Sequence, residues 1–297
     1  MAATRRLTQL LASTSSRIDL PAGPLVVALS GGADSAALVY LVLHLGERVT
    51  TVHVDHGLPD SPRMSAAAAA VADALDVSQS TIRVEVERGP SLEEKARDAR
   101  YEALHSLDAT VLTGHTRDDG VETVLMNLIR GTGVRGLGGI PVHRPPNVYR
   151  PMLNVTRDET REIATLAQLP FVDDPMNQDL SLTRNRVRLE ILPRLRELNP
   201  QVVESFDRLS RVARAETELL DEMAAPHLSS VIPISVLMTL PIPVAERVMH
   251  HALEASGVGA TADRIARMWQ VATGKSDRQD LAEGRRVIRD GALLTIE

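Results

Sequence analysis

The chain has 297 residues, a net charge of −6, 43% hydrophobic and 2% aromatic residues, and no cysteine. Disulfides, thiolate metal sites and iron–sulfur clusters are thereby excluded, a uniformly basic nucleic-acid binder is ruled out by the charge, and little aromatic surface is left on which bases could stack. No apolar run reaches the ~18 residues of a membrane span, and the amino terminus lacks the apolar core of a signal peptide, so a cytoplasmic protein with no membrane partner is expected.

Residues 1–14 read as a short amphipathic helix. Residues 25–29, LVVAL, are apolar and β-branched enough for a buried parallel strand. Ser30, Gly31 and Gly32 then break the run, and from Ala33 the apolar positions Leu38, Leu41, Val42 and Leu45 recur at helical spacing. Strand, tight loop and helix in that order offer phosphate oxygens a row of backbone N–H groups at the positive end of a helix. No Lys precedes a Ser or Thr here, so the loop is not a Walker A motif, and GxGxxG does not fit. Asp34 stands in the helix's first turn, where it suits the helix dipole alone. Beside a triphosphate, a carboxylate there calls for a magnesium ion between the two.

The alternation continues. Strands are expected at residues 49–55, 81–86 and 110–113, with helices at 62–75, 92–107 and 117–130 between and after them. Repeated βα units of this length predict an α/β fold, a Rossmann-like parallel sheet with helices on both faces. Ligands then lie beyond the carboxyl ends of the strands, which singles out residues 30–35, 55–57 and 114–119. In the last of these, Gly114 and His115 precede Asp118, Asp119 and Glu122 at a helix start. Asp118 and Glu122, four apart, share a face, with Asp119 to the side. Like charges at that spacing repel unless a cation or an amine lies between them. Residues 131–136, GTGVRG, match GxGxxG as a string but follow a helix and lead into GLGGIP, where no helix is expected to begin. Five glycines in residues 131–139 suggest a flexible loop instead. Gly274, Lys275 and Ser276 lack the first glycine of a Walker A motif.

From residue 184 to residue 214 eight arginines face four acids, a local excess of positive charge that suits RNA phosphates. After Pro200 the pattern changes. Residues 201–224 read as a long connecting helix; helices at 245–255 and 262–272 follow, with Trp269 as a core residue, and residues 285–297 as a hairpin turning at Asp290 and Gly291. The expected organisation is a catalytic domain over residues 1–200, the connecting helix over 201–224, and a small, mainly helical domain over 225–297 that either contacts RNA or braces the first.

The six residues SGGADS at 30–35 resemble the pyrophosphate loop of the ATP-pyrophosphatases, which cleave ATP between its α and β phosphates and adenylylate a substrate oxygen. Further blocks narrow the resemblance: HVDHGL at 53–58, EKARDARYEAL at 94–104, GHTRDDGVETVLMNLIRGTGVRGLGGI at 114–140, RPMLNVTRDE at 150–159 and DDPMNQDLSLTRNRVRLEILPRL at 173–195. In that order they resemble the tRNA(Ile)-lysidine synthetase family. The departure is Gly120–Val121 where the family has Gln-Ala, and a glycine in a helix's second turn costs roughly 0.5–1 kcal/mol relative to alanine.

The resemblance implies ATP and magnesium as cofactors and two substrates, the isoleucine tRNA with a CAU anticodon and free L-lysine. The wobble cytidine is adenylylated on the oxygen at carbon 2, and the ε-amine of lysine then displaces AMP. It implies ATP contacts at Ser30, Gly31, Gly32, Ala33, Asp34, Ser35 and Gly114, with Asp34 holding magnesium. It implies lysine contacts at Asp118, Asp119 and Glu122, with His115 beside the phosphates, and RNA contacts at Arg97, Arg184, Asn185, Arg186 and Arg188. A homodimer is compatible with the chain. Two other readings share the loop: an amide-forming adenylylating synthetase, which needs no arginine stripe, and an ATP-binding regulatory protein without turnover.

Overall fold

The computed structural model describes residues 1–86, 89 and 92–297. Helix α1 (Ala2–Ser15) turns Leu10, Leu11 and Thr14 inward, as its amphipathic pattern predicts. The apolar run after it becomes β1 (Leu25–Ala28), whose Val27 is fully buried, followed by α2 (Ala33–His44). Next come β2 (Val49–Asp55), α3 (Ser61–Ala74), β3 (Gln79–Arg83), α4 (Leu92–His105), β4 (Thr110–Thr113) and α5 (Arg117–Ile129). α2 is apolar nearly all round, with Ala36, Ala37, Leu38, Val39, Leu41 and Val42 without solvent contact, as a helix sandwiched between sheet and outer helices must be.

The sheet has six strands in the order β3-β2-β1-β4-β6-β5, where β5 is His143–Arg144 and β6 is Val148–Tyr149. β1 runs parallel to β2 and to β4, with Ala28 level with Val52 on one side and Thr113 on the other. Two differences from expectation concern strands. β3 begins two residues early and is an edge strand with mostly exposed side chains, so apolar alternation defines it poorly. β5 and β6 have two residues each and pair antiparallel with one another, too short to leave a periodic signature.

The order of strands determines where a ligand can sit. β1 connects through α2 to β2 on one side, while β4 lies on its other side, so the crevice between the carboxyl ends of β1 and β4 is the topological switch point. The chain after β1 and the chain after β4 both open into it.

The glycine-rich stretch expected to be a flexible loop is instead fastened. It contains a one-turn helix, α6 (Val134–Leu137), and Asn127 donates its side-chain amide to the Gly136 carbonyl at 2.8 Å. Gly139, at φ +68°, lies so close to Val124 that a Cβ would stand 3.1 Å from its side chain. Gly139 serves close packing on α5, and Gly136 leaves room for the Thr132 side chain. Helix α7 (Arg157–Leu166) opens with a capping box in which Thr156 and Glu159 satisfy each other's backbone.

Beyond it lies α8 (Thr183–Arg186), then a wide π turn over Val187–Ile191, then α9 (Leu192–Leu198). Pro193 has no N–H to offer Leu189 and would crowd its carbonyl. The wide turn, closed by Leu192 N–H to the Val187 carbonyl, accommodates it.

The chain divides into two compact units, Met1–Ser210 and Arg211–Glu297, and the division falls within α10 (Val202–Ala224). In the second unit β7 (Val231–Pro233), β8 (Arg278–Asp280), β9 (Arg286–Asp290) and β10 (Leu293–Ile296) form an antiparallel sheet in the order β7-β10-β9-β8. The expected hairpin is therefore two strands of four, and its two-residue loop is Gly291–Ala292 with Gly291 at φ +60°. Helices α11 (Ile234–Thr239), α12 (Ile242–Ala255) and α13 (Ala262–Ala272) complete the unit, and Trp269 packs, partly buried, against its core.

Gly120 sits in the regular second turn of α5, its N–H on the Thr116 carbonyl at 3.2 Å, and a Cβ would meet nothing within 4 Å. Gly120→Ala is expected to raise unfolding stability by about 0.5–1 kcal/mol, read as a higher urea midpoint with activity retained.

Candidate active site

The loop after β1 admits no side chain at its second position. Gly31 has φ +89°, and a Cβ there would stand 2.5 Å from the Met64 carbonyl oxygen. Gly32 is the N-cap of α2, whose first helical bond runs from Ala36 N–H to the Gly32 carbonyl at 3.1 Å. The backbone N–H groups of Ala33, Asp34 and Ser35 thus start the helix without helical acceptors, the arrangement that suits phosphate oxygens. Ser35 shapes the loop from inside: its hydroxyl accepts from the Ser30 N–H at 3.1 Å and donates to the Gly32 carbonyl at 3.0 Å. Gly114, after β4, presses directly on this turn, since a Cβ would lie 3.0 Å from the Ser35 nitrogen. The Val172 N–H donates to the Gly31 carbonyl at 3.0 Å and closes the loop from the far side.

Asp34 leans toward α7. The Thr160 hydroxyl donates to its Oδ1, and the Arg157 Nε is 3.8 Å from its Oδ2. Burial pushes the Asp34 carboxyl up to about 6, against the pull of Thr160 and Arg157. Its negative charge is therefore under-compensated.

The acids of α5 are brought together as expected, with one change in their grouping. Asp119 and Glu122, three apart, share their arginine partners, and Asp118 faces elsewhere. Arg157 donates to Asp119 at 2.8 Å and to Glu122 at 2.9 Å. Arg184 repeats this at 3.0 Å and 2.9 Å. Arg188 makes two bonds to Glu122, at 2.7 Å and 3.0 Å. Asp118 accepts instead from the Arg157 backbone N–H at 2.9 Å and from Arg196 at 3.0 Å. Asp119 also caps its own helix, accepting from the Thr116 N–H and hydroxyl at 2.8 Å each. Burial opposes ionisation of Asp119, but Arg157 and Arg184 outweigh it and hold the carboxyl well below the usual range. For Glu122, too, burial is outweighed, by Arg188, Arg157 and Arg184.

His115 is neutral. Burial pushes its imidazole down to about 3, and Arg150, Arg184 and Arg100 add to the effect against Asp119. Its Nδ1 lies 2.9 Å from the Thr113 hydroxyl. The expected RNA-facing residues divide. Arg184 and Arg188 turn inward to the acids. Arg186 is exposed and pairs with Glu190 at 3.3 Å. Asn185 is buried and gives its amide N–H groups to the Met176 and Asp179 carbonyls at 2.7 Å and 2.9 Å, so its amide nitrogen braces the segment. Arg97 belongs to another group, on α4, where its guanidinium lies 5.8 Å from the Tyr101 ring centroid and that of Arg144 lies 3.8 Å from it.

Sequence reasoning missed Arg157, Thr160 and Arg196. The Thr156–Glu159 capping box is visible in the sequence and marks a helix start, which puts Arg157 in its first turn. Nothing in the spacing reveals that this turn meets Asp34 on one side and Asp119 on the other.

Residues 1–195 match the PP-loop domain family. The chain is 41% identical over 256 residues to the tRNA(Ile)-lysidine synthase of Salinispora tropica, covering 78% of this chain and 77% of that one. It is 40% identical over 251 residues to that of Nocardia farcinica, covering 81% and 79%. Against that of Thermus thermophilus the identity is 35% over 296 residues, 92% of this chain and 57% of the other. Among solved structures, the U34-tRNA thiolase NcsA from Methanococcus maripaludis, with its [4Fe-4S] cluster, superposes with a TM-score of 0.56 at 17% identity over 72% of this chain and 80% of that one, a likeness of fold alone.

Gly31→Ala must pay for both the left-handed backbone and the clash with Met64, and is expected to destabilise by roughly 1–3 kcal/mol, read in urea denaturation. Asp34 holds its proton to about pH 6 in the folded chain but releases it near 3.8 when unfolded. Stability from this group is therefore full below pH 4 and lost as the pH rises to 6. Asp34→Asn is expected to gain on the order of 1–2 kcal/mol over the parent between pH 4 and pH 8, checked by denaturation at both; an equal difference at the two would contradict it.

Proposed function

This chain belongs to the tRNA(Ile)-lysidine synthases, built on a PP-loop ATP-binding domain, and from that premise we propose how its own residues divide the reaction. The wobble cytidine of an isoleucine tRNA with a CAU anticodon attacks the α phosphate of ATP through the oxygen at carbon 2, and pyrophosphate leaves. The ε-amine of free L-lysine then adds at carbon 2, the carbon–oxygen bond to AMP breaks, and the amine proton is released.

The loop N–H groups of residues 33–35, with Gly31 and Gly32 keeping the approach open, receive the phosphates of ATP. Magnesium fits beside them. Asp34 is an under-compensated carboxylate at the loop, as suits a cation held by one carboxylate and substrate phosphates. Bound there, it would neutralise charge on the leaving pyrophosphate. Asp119 and Glu122, ionised throughout the physiological range, hold the cationic lysine. His115, neutral and fixed by Thr113, offers hydrogen bonds without adding charge. Arg186, Arg97 and the inward arginines 184 and 188 are the candidates for RNA phosphates.

The observation that carries this reading is the reach of one residue. Arg157 touches Asp119 and Glu122 and approaches Asp34, so the phosphate loop and the acids for lysine belong to one site. We place the reaction in the cytoplasm, where tRNA, ATP and free lysine meet; no helix among the described residues is long and apolar enough to cross a membrane.

With ATP and magnesium, the protein is expected to incorporate labelled lysine into an isoleucine tRNA bearing the CAU anticodon and not into a methionine tRNA, and Asp34→Ala to lower the rate by roughly 100-fold or more. Release of AMP and pyrophosphate without lysine uptake would remove the lysine assignment.

A further inference from the structure

Four carboxylates, Asp34, Asp118, Asp119 and Glu122, meet four guanidiniums, Arg157, Arg184, Arg188 and Arg196, so the cluster is already neutral. Glu122 has no solvent contact, and both of its oxygens are taken by arginine. A lysine ammonium entering here would add positive charge to a balanced, buried cluster and would find its acceptors occupied. At least one guanidinium has to leave.

The four arginines are not equally free to go. Arg157 reaches three acids with its side chain and a fourth with its backbone N–H, from the capped first turn of α7. Among the described residues, Arg196 binds Asp118 alone. Arg184 and Arg188 come from the arginine-rich segment at the π turn, whose neighbours Arg186 and Arg194 are exposed on the outer side. A polyanion arriving at that outer side offers the inward pair phosphate oxygens as alternative acceptors.

We propose that Arg184 and Arg188 stand in for the ammonium of lysine on Asp119 and Glu122 while no RNA is bound, and move to RNA phosphates when it is, so that RNA opens the lysine site. The proposal rests on the assignment of those acids to lysine. RNA and lysine are then positively coupled, and by linkage each tightens the other by the same factor. Two guanidiniums leave for one ammonium, so the cluster passes from neutral to one net negative charge, which disposes it to keep the incoming cation. Lysine entry before the tRNA is seated is thereby disfavoured.

The test is equilibrium dialysis of labelled L-lysine against the full chain without ATP, alone and with saturating isoleucine tRNA transcript, for the parent, Arg188→Gln and Arg188→Lys. The tRNA is expected to tighten lysine binding to the parent on the order of 10-fold. Arg188→Gln is expected to reproduce most of that gain without RNA, because Glu122 keeps Arg157 and Arg184 but loses two occupying bonds. Arg188→Lys, which keeps a cation in place, is expected to gain little. A merely structural arginine would lower affinity when removed. Arg184→Gln serves as a second variant should Arg188→Gln not fold. Lysine affinity unchanged by tRNA and by both glutamine variants, or undetectable in every sample, overturns the exchange. Failure of the parent to incorporate lysine into tRNA with ATP would instead overturn the assigned reaction, so the two failures are told apart.

Discussion

The first unit keeps two carboxylates charged where little or no water reaches them. Asp119 and Glu122 lie on one face of α5, and desolvating an ion costs several kcal/mol unless its partners are well placed. The partners come from two distant parts of the chain, the start of α7 and the α8–π segment, so the ionic cluster is also a tertiary clasp. Breaking such a cluster from one side is costly because it strands the charges on the other. Its value here is specificity of position: acids fixed in place, ionised, and open to exchange of one cation for another.

The second constraint is steric. The crevice between β1 and β4 is narrow because α2 begins almost on top of the chain leaving β4, with Gly114 against the Ser35 backbone. Gly31 solves the same problem on the opposite side, against α3. Two glycines at two contacts let a helix start, a strand end and a neighbouring helix share space that side chains would otherwise fill. The Arg157 guanidinium then spans from this crowded loop to the acids.

Much of this was legible in the sequence, and the exceptions have physical causes. The strand–loop–helix at residues 25–45 was visible because hydrophobic period, glycine and a first-turn acid all agree there. The acids at 118, 119 and 122 were visible as residues, but spacing alone favoured the pair four apart. The actual partners three apart were selected by arginines from other segments, one of which, Arg157, carries no local mark of its role. The glycine-rich stretch at 131–139 misled because glycine permits flexibility and close packing equally, and only tertiary contact with Val124 and Asn127 decides between them. β5 and β6 were too short for any period to show. Asn185 and its neighbours Arg184 and Arg186 look alike as a polar run, yet a helical turn sends them in three directions.

The acids and their counter-charges are separated along the chain as well as joined in space. Asp119 and Glu122 are synthesised well before Arg157, Arg184, Arg188 and Arg196, and Val172, which closes the phosphate loop, also comes late. A nascent chain that has reached only α5 therefore holds two carboxylates without the arginines that pair with them, and a loop open at one edge. The βα layers can collapse at that stage, but the catalytic crevice cannot be completed until the segment through residue 196 has emerged from the ribosome. The ionic cluster is thus among the last features of the first unit to be assembled.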